Sequence, residues 1–220
     1  MFQEMLAWER KLFKEGMLYV AGIDEVGKGP LAGPLVVAAA IVNLKRLFEI
    51  EHEVEEKTHK KHLYSQIRDS KKISDKKRRL IAPFLHKELI SYSLIEVTHQ
   101  EIDRRGISQA VQTAFFKSIT GLRVKPEHVL TDFVHIKKIT QSDQTNIPKG
   151  DSKSISIAAA SIVAKVYRDN IMIRMHERYP EYGFQQHKGY GTKKHIAALH
   201  KHGPCEIHRR SFEPVKSLLH

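Results

Sequence analysis

Four acidic residues stand out in a chain otherwise dominated by positive charge. Asp24 closes the run Val-Ala-Gly-Ile and Asp132 the run Val-Leu-Thr, so both stand where short apolar segments give out, and Glu25 follows Asp24 directly. Asp151 follows Gly150 on the approach to a long apolar stretch. A carboxylate among apolar residues is costly to bury unless it is paired or holds a metal. The ends of strands are also where α/β sheets place reacting groups. Glu25 can join Asp24 in one site only if the strand ends there and the chain turns, because successive strand residues face opposite ways. Brought into one cleft, four carboxylates repel. Two divalent cations offset that repulsion and leave attraction for an incoming phosphate. Oxygen-only ligation selects Mg²⁺ or Mn²⁺ over structural zinc. Any one of these acids alone suits a helix cap or a surface ion pair; the set of four is what points to metal-dependent chemistry on a phosphate.

Between the first two acids and the next apolar run lies a glycine-rich turn. Residues Gly22 to Gly29 spell GIDEVGKG, a phosphate-loop pattern in every position but the last, where Gly29 replaces the hydroxyl residue. A phosphate loop also needs a helix to start at its lysine, whereas Pro30 and Pro34 follow here and lead into a strand-like run. The nucleotide-hydrolase reading is rejected on those grounds, and a dinucleotide fingerprint fails on spacing and on the missing helix. What remains is a Gly-Lys-Gly turn whose backbone amides and carbonyls can approach a sugar-phosphate closely. At that range they can sense a ribose 2′-hydroxyl, the group that separates RNA from DNA.

These residues must be positioned by the elements around them. Tyr19 to Asp24 and Leu35 to Val42 read as paired strands, Tyr92 to Val97 and His128 to Phe133 as a third and a fourth. Ser74 caps a helix over DKKRRLIAPFLHKEL that Pro83 should bend or restart, and Ser108 to Gly121 reads as another helix. Ser156 to Tyr179 is the clearest helix, with Ala159, Ile162, Val163, Val166 and Ile173 along one face and Pro180 closing it. Its small residues Ala158 to Ser161 let the backbone lie close to a sheet. Lys193 to Lys201 predicts a last helix, Met1 to Gly16 a short amphipathic one, and the charged stretch Leu47 to Lys72 a solvated helical excursion. Strands alternating with helices give an α/β class.

Composition narrows the partner. The 220 residues suit one domain with an appendage, and 41% hydrophobic residues exclude wholesale disorder. Lys plus Arg number 37 against 25 Asp plus Glu, a net charge of +12 that attracts polyanions, nucleic acid first among them. Cys205 is the single cysteine, which forbids an intrachain disulfide and fits a reducing compartment. The longest apolar run, Leu35 to Val42, is far short of the ~20 residues that cross a bilayer, and the N-terminus lacks the apolar core of a secretory signal. A cytoplasmic protein with no membrane partner is expected.

Five motifs in order resemble ribonuclease HII: GIDEVGKGPLAGPLVVAAAIV, DSKKIS (Asp69 to Ser74), GDSKSISIAAASIVAKVYRD (Gly150 to Asp169), HKGYGT (His187 to Thr192) and HRRSFEPVK (His208 to Lys216). The resemblance implies a ribonuclease H-like α/β fold, a mixed five-stranded sheet flanked by helices, with a C-terminal helical extension. It implies an N-terminal helical segment over 1–18, a catalytic core over 19–180 and a basic extension over 181–220. The implied activity is endonucleolytic hydrolysis of the RNA strand of RNA/DNA hybrids and nicking 5′ to ribonucleotides embedded in duplex DNA. By position, Asp24, Glu25, Asp132 and Asp151 match the family's metal-binding acids, holding two Mg²⁺ or Mn²⁺ ions. Gly27, Lys28 and Gly29 match the loop that reads the ribonucleotide, and Tyr190 a tyrosine that packs on the neighbouring deoxyribose. Lys71, with Lys72, Lys188, Arg209 and Arg210, is a candidate for phosphate contacts. The chain departs from the family in carrying Lys28 for arginine, Phe133 for a more usual glycine, and a longer Leu47 to Lys72 segment. Asp169 is expected to pair with a nearby cation, Cys205 to be a small packed residue, and the histidines around it fit no common zinc spacing. The rival expectation is a non-catalytic basic nucleic-acid-binding protein; in either case a monomer is expected.

Overall fold

Strand and helix propensity settle early in the chain. The computed structural model describes residues 3–52, 59–68 and 70–219. Helix α1 (Ala7–Lys14) leads into β1 (Val20–Val26) and, after the glycine-rich connector, β2 (Leu35–Val42). Helices α2 (Leu44–His52), α3 (His59–Ser65) and α4 (Asp75–Glu88) follow, then β3 (Leu89–Val97). Next come α5 (His99–Arg105), α6 (Ile107–Thr120), β4 (His128–Asp132) and β5 (Gln144–Ile147). The long α7 (Ile155–Arg178) is followed by α8 (Phe184–His187) and α9 (Lys193–His202).

The sheet runs β3-β2-β1-β4-β5. β1 pairs antiparallel with β2 and β2 antiparallel with β3, while β1–β4 and β4–β5 are parallel. β2 is buried along its whole length, as its uninterrupted apolar sequence requires of a central strand covered on both faces. Val36, Ala38, Ala40 and Val42 join the core beneath α7, and Leu35, Val37 and Ala39 the core beneath α6. At Gly22 the helix lies directly on the sheet: a Cβ there would fall 2.0 Å from the Ser156 carbonyl carbon. The small residues at the start of α7 do place its backbone against the sheet.

Several expectations need correction. β5 has no counterpart among the runs read as strands, because Gln-Thr-Asn-Ile carries no apolar alternation and joins through backbone pairing with β4. Pro83 neither bends α4 into two helices nor restarts it; the helix runs uninterrupted from its Ser74 cap, whose hydroxyl accepts the Lys77 amide. The Leu47 to Lys72 stretch is not merely solvated surface, since Leu47, Ile50, Tyr64 and Ile67 are buried in the main core. Asp69 lies outside the described residues, as do residues 53–58 of that stretch. No helix among the described residues is long and apolar enough to cross a membrane.

Candidate active site

β1 does not end at Asp24; it continues through Glu25 to Val26. Alternation therefore sends the two side chains to opposite faces. Both nonetheless line one cleft of about 540 Å³, because that cleft opens around the carboxyl end of the strand and also takes in Gly27, Lys28, Gly29, Lys71 and Tyr190. Asp24 is buried, and its Oδ1 accepts the Glu25 amide at 2.8 Å. Burial above all, then the charge of Glu25, with a smaller push from Asp132, holds its carboxyl well above the usual range, against hydrogen bonds from Ser161 and the Glu25 amide. Burial also pushes Glu25 up to about 7, with Lys28 and Lys71 pulling it down and Asp132 pushing it up.

Asp132 ends β4, in the strand beside β1. Its Oδ1 accepts the Gly150 amide at 2.8 Å, and Asp151 is the next residue, buried in a single 3₁₀ turn before α7. Asp24, Glu25 and Asp132 thus feel one another's charge, with Asp151 adjacent to the group that holds Asp132. Among the described residues, no three His, Cys, Asp or Glu side chains close to a common ligation distance. The acids form a neighbourhood rather than a finished cage, and their repulsion opposes closer approach. The donors are hard oxygens, and burial and neighbouring charge raise the Asp24 and Glu25 carboxyls, which fits a hard divalent cation.

The glycine turn is built differently. Two arginines beneath it, Arg168 from α7 and Arg209 from the C-terminal segment, are fully buried. Arg168 donates to the carbonyls of Pro34 at 2.8 Å, Lys188 at 3.0 Å and Ala32 at 3.2 Å. Arg209 donates to those of Gly27 at 2.5 Å, Lys28 at 3.0 Å and Gly33 at 3.1 Å. Gly27 has φ of +96°, and a Cβ there would meet Arg168 Nε at 2.2 Å, so only glycine fits over the guanidinium. Arg209 is therefore not an exposed phosphate contact. It fixes the turn from below, as does Arg168, which the sequence did not single out; an inward-facing arginine has no signature that separates it from a surface one.

Tyr190 is 41% exposed at the cleft, with Arg168 Cζ 5.7 Å from its ring centre. Its carbonyl is 2.9 Å from His195 Nδ1, and His195 Nε2 is 3.1 Å from His208 Nε2. His208 Nδ1 accepts the Cys205 amide at 3.0 Å. Burial lowers both histidines to about 4, so both rings are neutral. Cys205 is a partly buried member of this cluster. Among the other candidates, Lys71 and Lys72 are exposed, Lys188 Nζ donates to the Gln185 carbonyl, and the amide of exposed Arg210 donates to Asp103. Asp169 is a structural partner, buried 2.7 Å from Lys165 Nζ and 3.9 Å from Arg78.

Comparison with known proteins adds the family. Residues 21–215 match the family model described as Ribonuclease HII. The ribonuclease HII of Caldanaerobacter subterraneus subsp. tengcongensis is 46% identical over 210 residues, covering 96% of this chain and 80% of the relative. That of Acholeplasma laidlawii is 44% identical over 214 residues, covering 97% and 96%. The crystal structure of ribonuclease H2 from Pyrococcus horikoshii OT3 superposes with a TM-score of 0.73 at 25% identity, over 91% of this chain and 96% of that one. A Bst ribonuclease HIII solved in complex with Mn²⁺ shares the fold, with a TM-score of 0.66 at 21% identity over 92% and 70% of the two chains. With the mixed sheet, and with Asp24 and Glu25 sharing one cleft with the braced glycine turn, these matches show that the chain belongs to the ribonuclease HII family and is a ribonuclease H endonuclease.

Proposed function

We propose that the enzyme cuts the RNA strand of RNA/DNA hybrids and nicks duplex DNA on the 5′ side of an embedded ribonucleotide, using two hard divalent cations, Mg²⁺ or Mn²⁺. One observation carries this: Asp24 and Glu25 share a single cleft with the Gly27-Lys28-Gly29 turn and with Tyr190. Acids that would hold cations against a phosphate therefore stand within one substrate's reach of a backbone that can read a 2′-hydroxyl. Asp24, Glu25, Asp132 and Asp151 are the holding residues. When bound, the cations supply activation of the attacking water and stabilisation of charge at the scissile phosphate. One oxygen of Asp24 takes the Glu25 amide and one of Asp132 the Gly150 amide, which orients each carboxylate. The glycine turn, clamped through its carbonyls, meets the ribose with a preset backbone, so little ordering is left for binding to accomplish. Tyr190 supplies the ring for the deoxyribose on the other side of the cut, and Lys71 a cation for a backbone phosphate. A monomer acting in the reducing cytoplasm accords with the lone Cys205.

The test is the cut position on a duplex carrying one ribonucleotide, assayed with Mg²⁺, with Mn²⁺ and with EDTA. Incision 5′ to the ribonucleotide in both metal lanes and none with EDTA is expected. Incision elsewhere, or equal cutting of an all-DNA duplex, overturns the proposal. A non-catalytic binder would leave every strand intact.

A further inference from the structure

Phe133 is out of keeping with its position. It follows Asp132, is 73% exposed, and holds φ at 60°. That left-handed conformation is a genuine outlier for a bulky side chain. Backbone strain of this kind costs on the order of 1–3 kcal/mol, survives only where the surroundings over-determine it, and concentrates at working sites. The surroundings here do over-determine it. The Phe133 amide donates to the Thr131 carbonyl at 3.0 Å and the Thr131 hydroxyl to the Val134 carbonyl at 2.6 Å. Asn146 Nδ2 donates to both Thr131 Oγ1 and the Val134 carbonyl at 2.8 Å. A braced turn therefore delivers the ring to solvent beside a proposed metal-holding acid.

Beyond that turn lies a groove of about 710 Å³ between α6 and the segment after β4. Lys28, Lys137 and Lys138 line it with Ser108, Gln112 and Val134, and among the described residues its lining includes no carboxylate. Lys28 also lines the catalytic cleft, so the two depressions adjoin at the glycine turn. The groove's wall is fixed as well: Gln112 donates to the His135 carbonyl at 2.7 Å and accepts the Lys137 amide at 3.1 Å. Lys138 Nζ is held 5.0 Å from the centre of the Phe116 ring.

We infer that this groove extends the substrate track, seating the sugar-phosphate backbone of the duplex away from the cut, with Phe133 as an apolar contact against a sugar or base at the boundary. The inference rests on the ribonuclease function proposed above. Lysines meet phosphates as point charges and the serine hydroxyl and glutamine amide add donors, a combination that positions a backbone without reading its sequence. An aromatic face is the sequence-tolerant complement to such contacts.

The test measures KM, kcat and their salt dependence on a long duplex with one central ribonucleotide. K137E/K138E should raise KM about tenfold or more and lower the slope of log KM against log salt by about 2, with kcat changed far less. F133G should raise KM about tenfold, and because glycine accepts φ of 60° without strain its thermal melt should show no loss of stability. The pair K11E/K14E on α1, equal in charge change, serves as the reference and should leave KM close to that of the unaltered enzyme. If the groove variants match this reference in KM and slope while the unaltered enzyme still cuts 5′ to the ribonucleotide, the groove is overturned and the ribonuclease function stands. An unaltered enzyme that leaves the ribonucleotide duplex intact overturns both.

Discussion

On one wall of the cleft, two buried guanidiniums hold six backbone carbonyls in place. On the other, Asp24 and Glu25 are destabilised by burial, by each other and by the charge of nearby Asp132, eased by backbone amides, the Ser161 hydroxyl and two lysines. The first wall is complete before any substrate arrives, because its charged groups already have their hydrogen bonds. In the function proposed, a cation relieves the second. On that proposal, recognition is a property of the folded chain, whereas reactivity is conditional on what the acids bind.

The sharpest way to break that contrast is Asp24→Asn. Removing one of the carboxylates proposed to hold metal should cut turnover by on the order of 10³-fold or more, since metal-assisted stabilisation amounts to several kcal/mol. Hybrid binding by fluorescence anisotropy should be largely kept. The unaltered protein should also melt higher on adding Mn²⁺, and Asp24→Asn much less so. Loss of cleavage and binding together would mean that the acids belong to the recognition wall instead.

Arg209→Met tests the opposite wall. It strips the buried carbonyls of Gly27 and Gly33, and the partly buried one of Lys28, of their donor, which should lower stability by about 3 kcal/mol in urea unfolding. Discrimination between ribonucleotide-containing and all-DNA duplex should fall with it. A variant as stable and as selective as the parent would show that the turn holds its shape unaided.

The smallest expected effect is that of acid on the histidine pair behind Tyr190. Both rings are lowered from 6.5 to about 4 in the folded chain, chiefly by burial. Above about pH 6.5 neither state takes up protons there and the pair contributes no pH dependence. Between about 6.5 and 4 the unfolded chain binds protons that the folded one refuses, so stability falls as pH falls, by roughly a few kcal/mol for the pair. Urea midpoints across that range, compared with those of His208→Gln, check this; a parent midpoint that stays flat would place the rings in contact with water.

How far the sequence could be read follows from what each element depends on. β1, β2 and α7 were legible because their apolar patterning is local and strong. β5 was not, since Gln144 is buried for the sake of hydrogen bonds to the loop at Ile136 and Ile139, which no run of types announces. The burial of α2 was masked by its flanking charges, and Pro83 fits within a helix whose other contacts outweigh one lost bond. At the site, the acids and the glycine turn could be named from residue type and order. Arg168 and Arg209 could not, because their role depends on long-range burial, and neither could the left-handed Phe133, whose conformation is imposed by Asn146 from another strand.

Glu9 of α1 is buried, and its Oε1 accepts the Ser154 hydroxyl at 2.5 Å and the Ser156 amide at 2.9 Å. A carboxylate contributed by the first helix thus finishes the start of α7, three residues past Asp151. Trimming the chain back to β1 would strip those donors of their acceptor and loosen the hinge on which the fourth acid hangs, so an apparently dispensable leading helix would be felt as slower cutting.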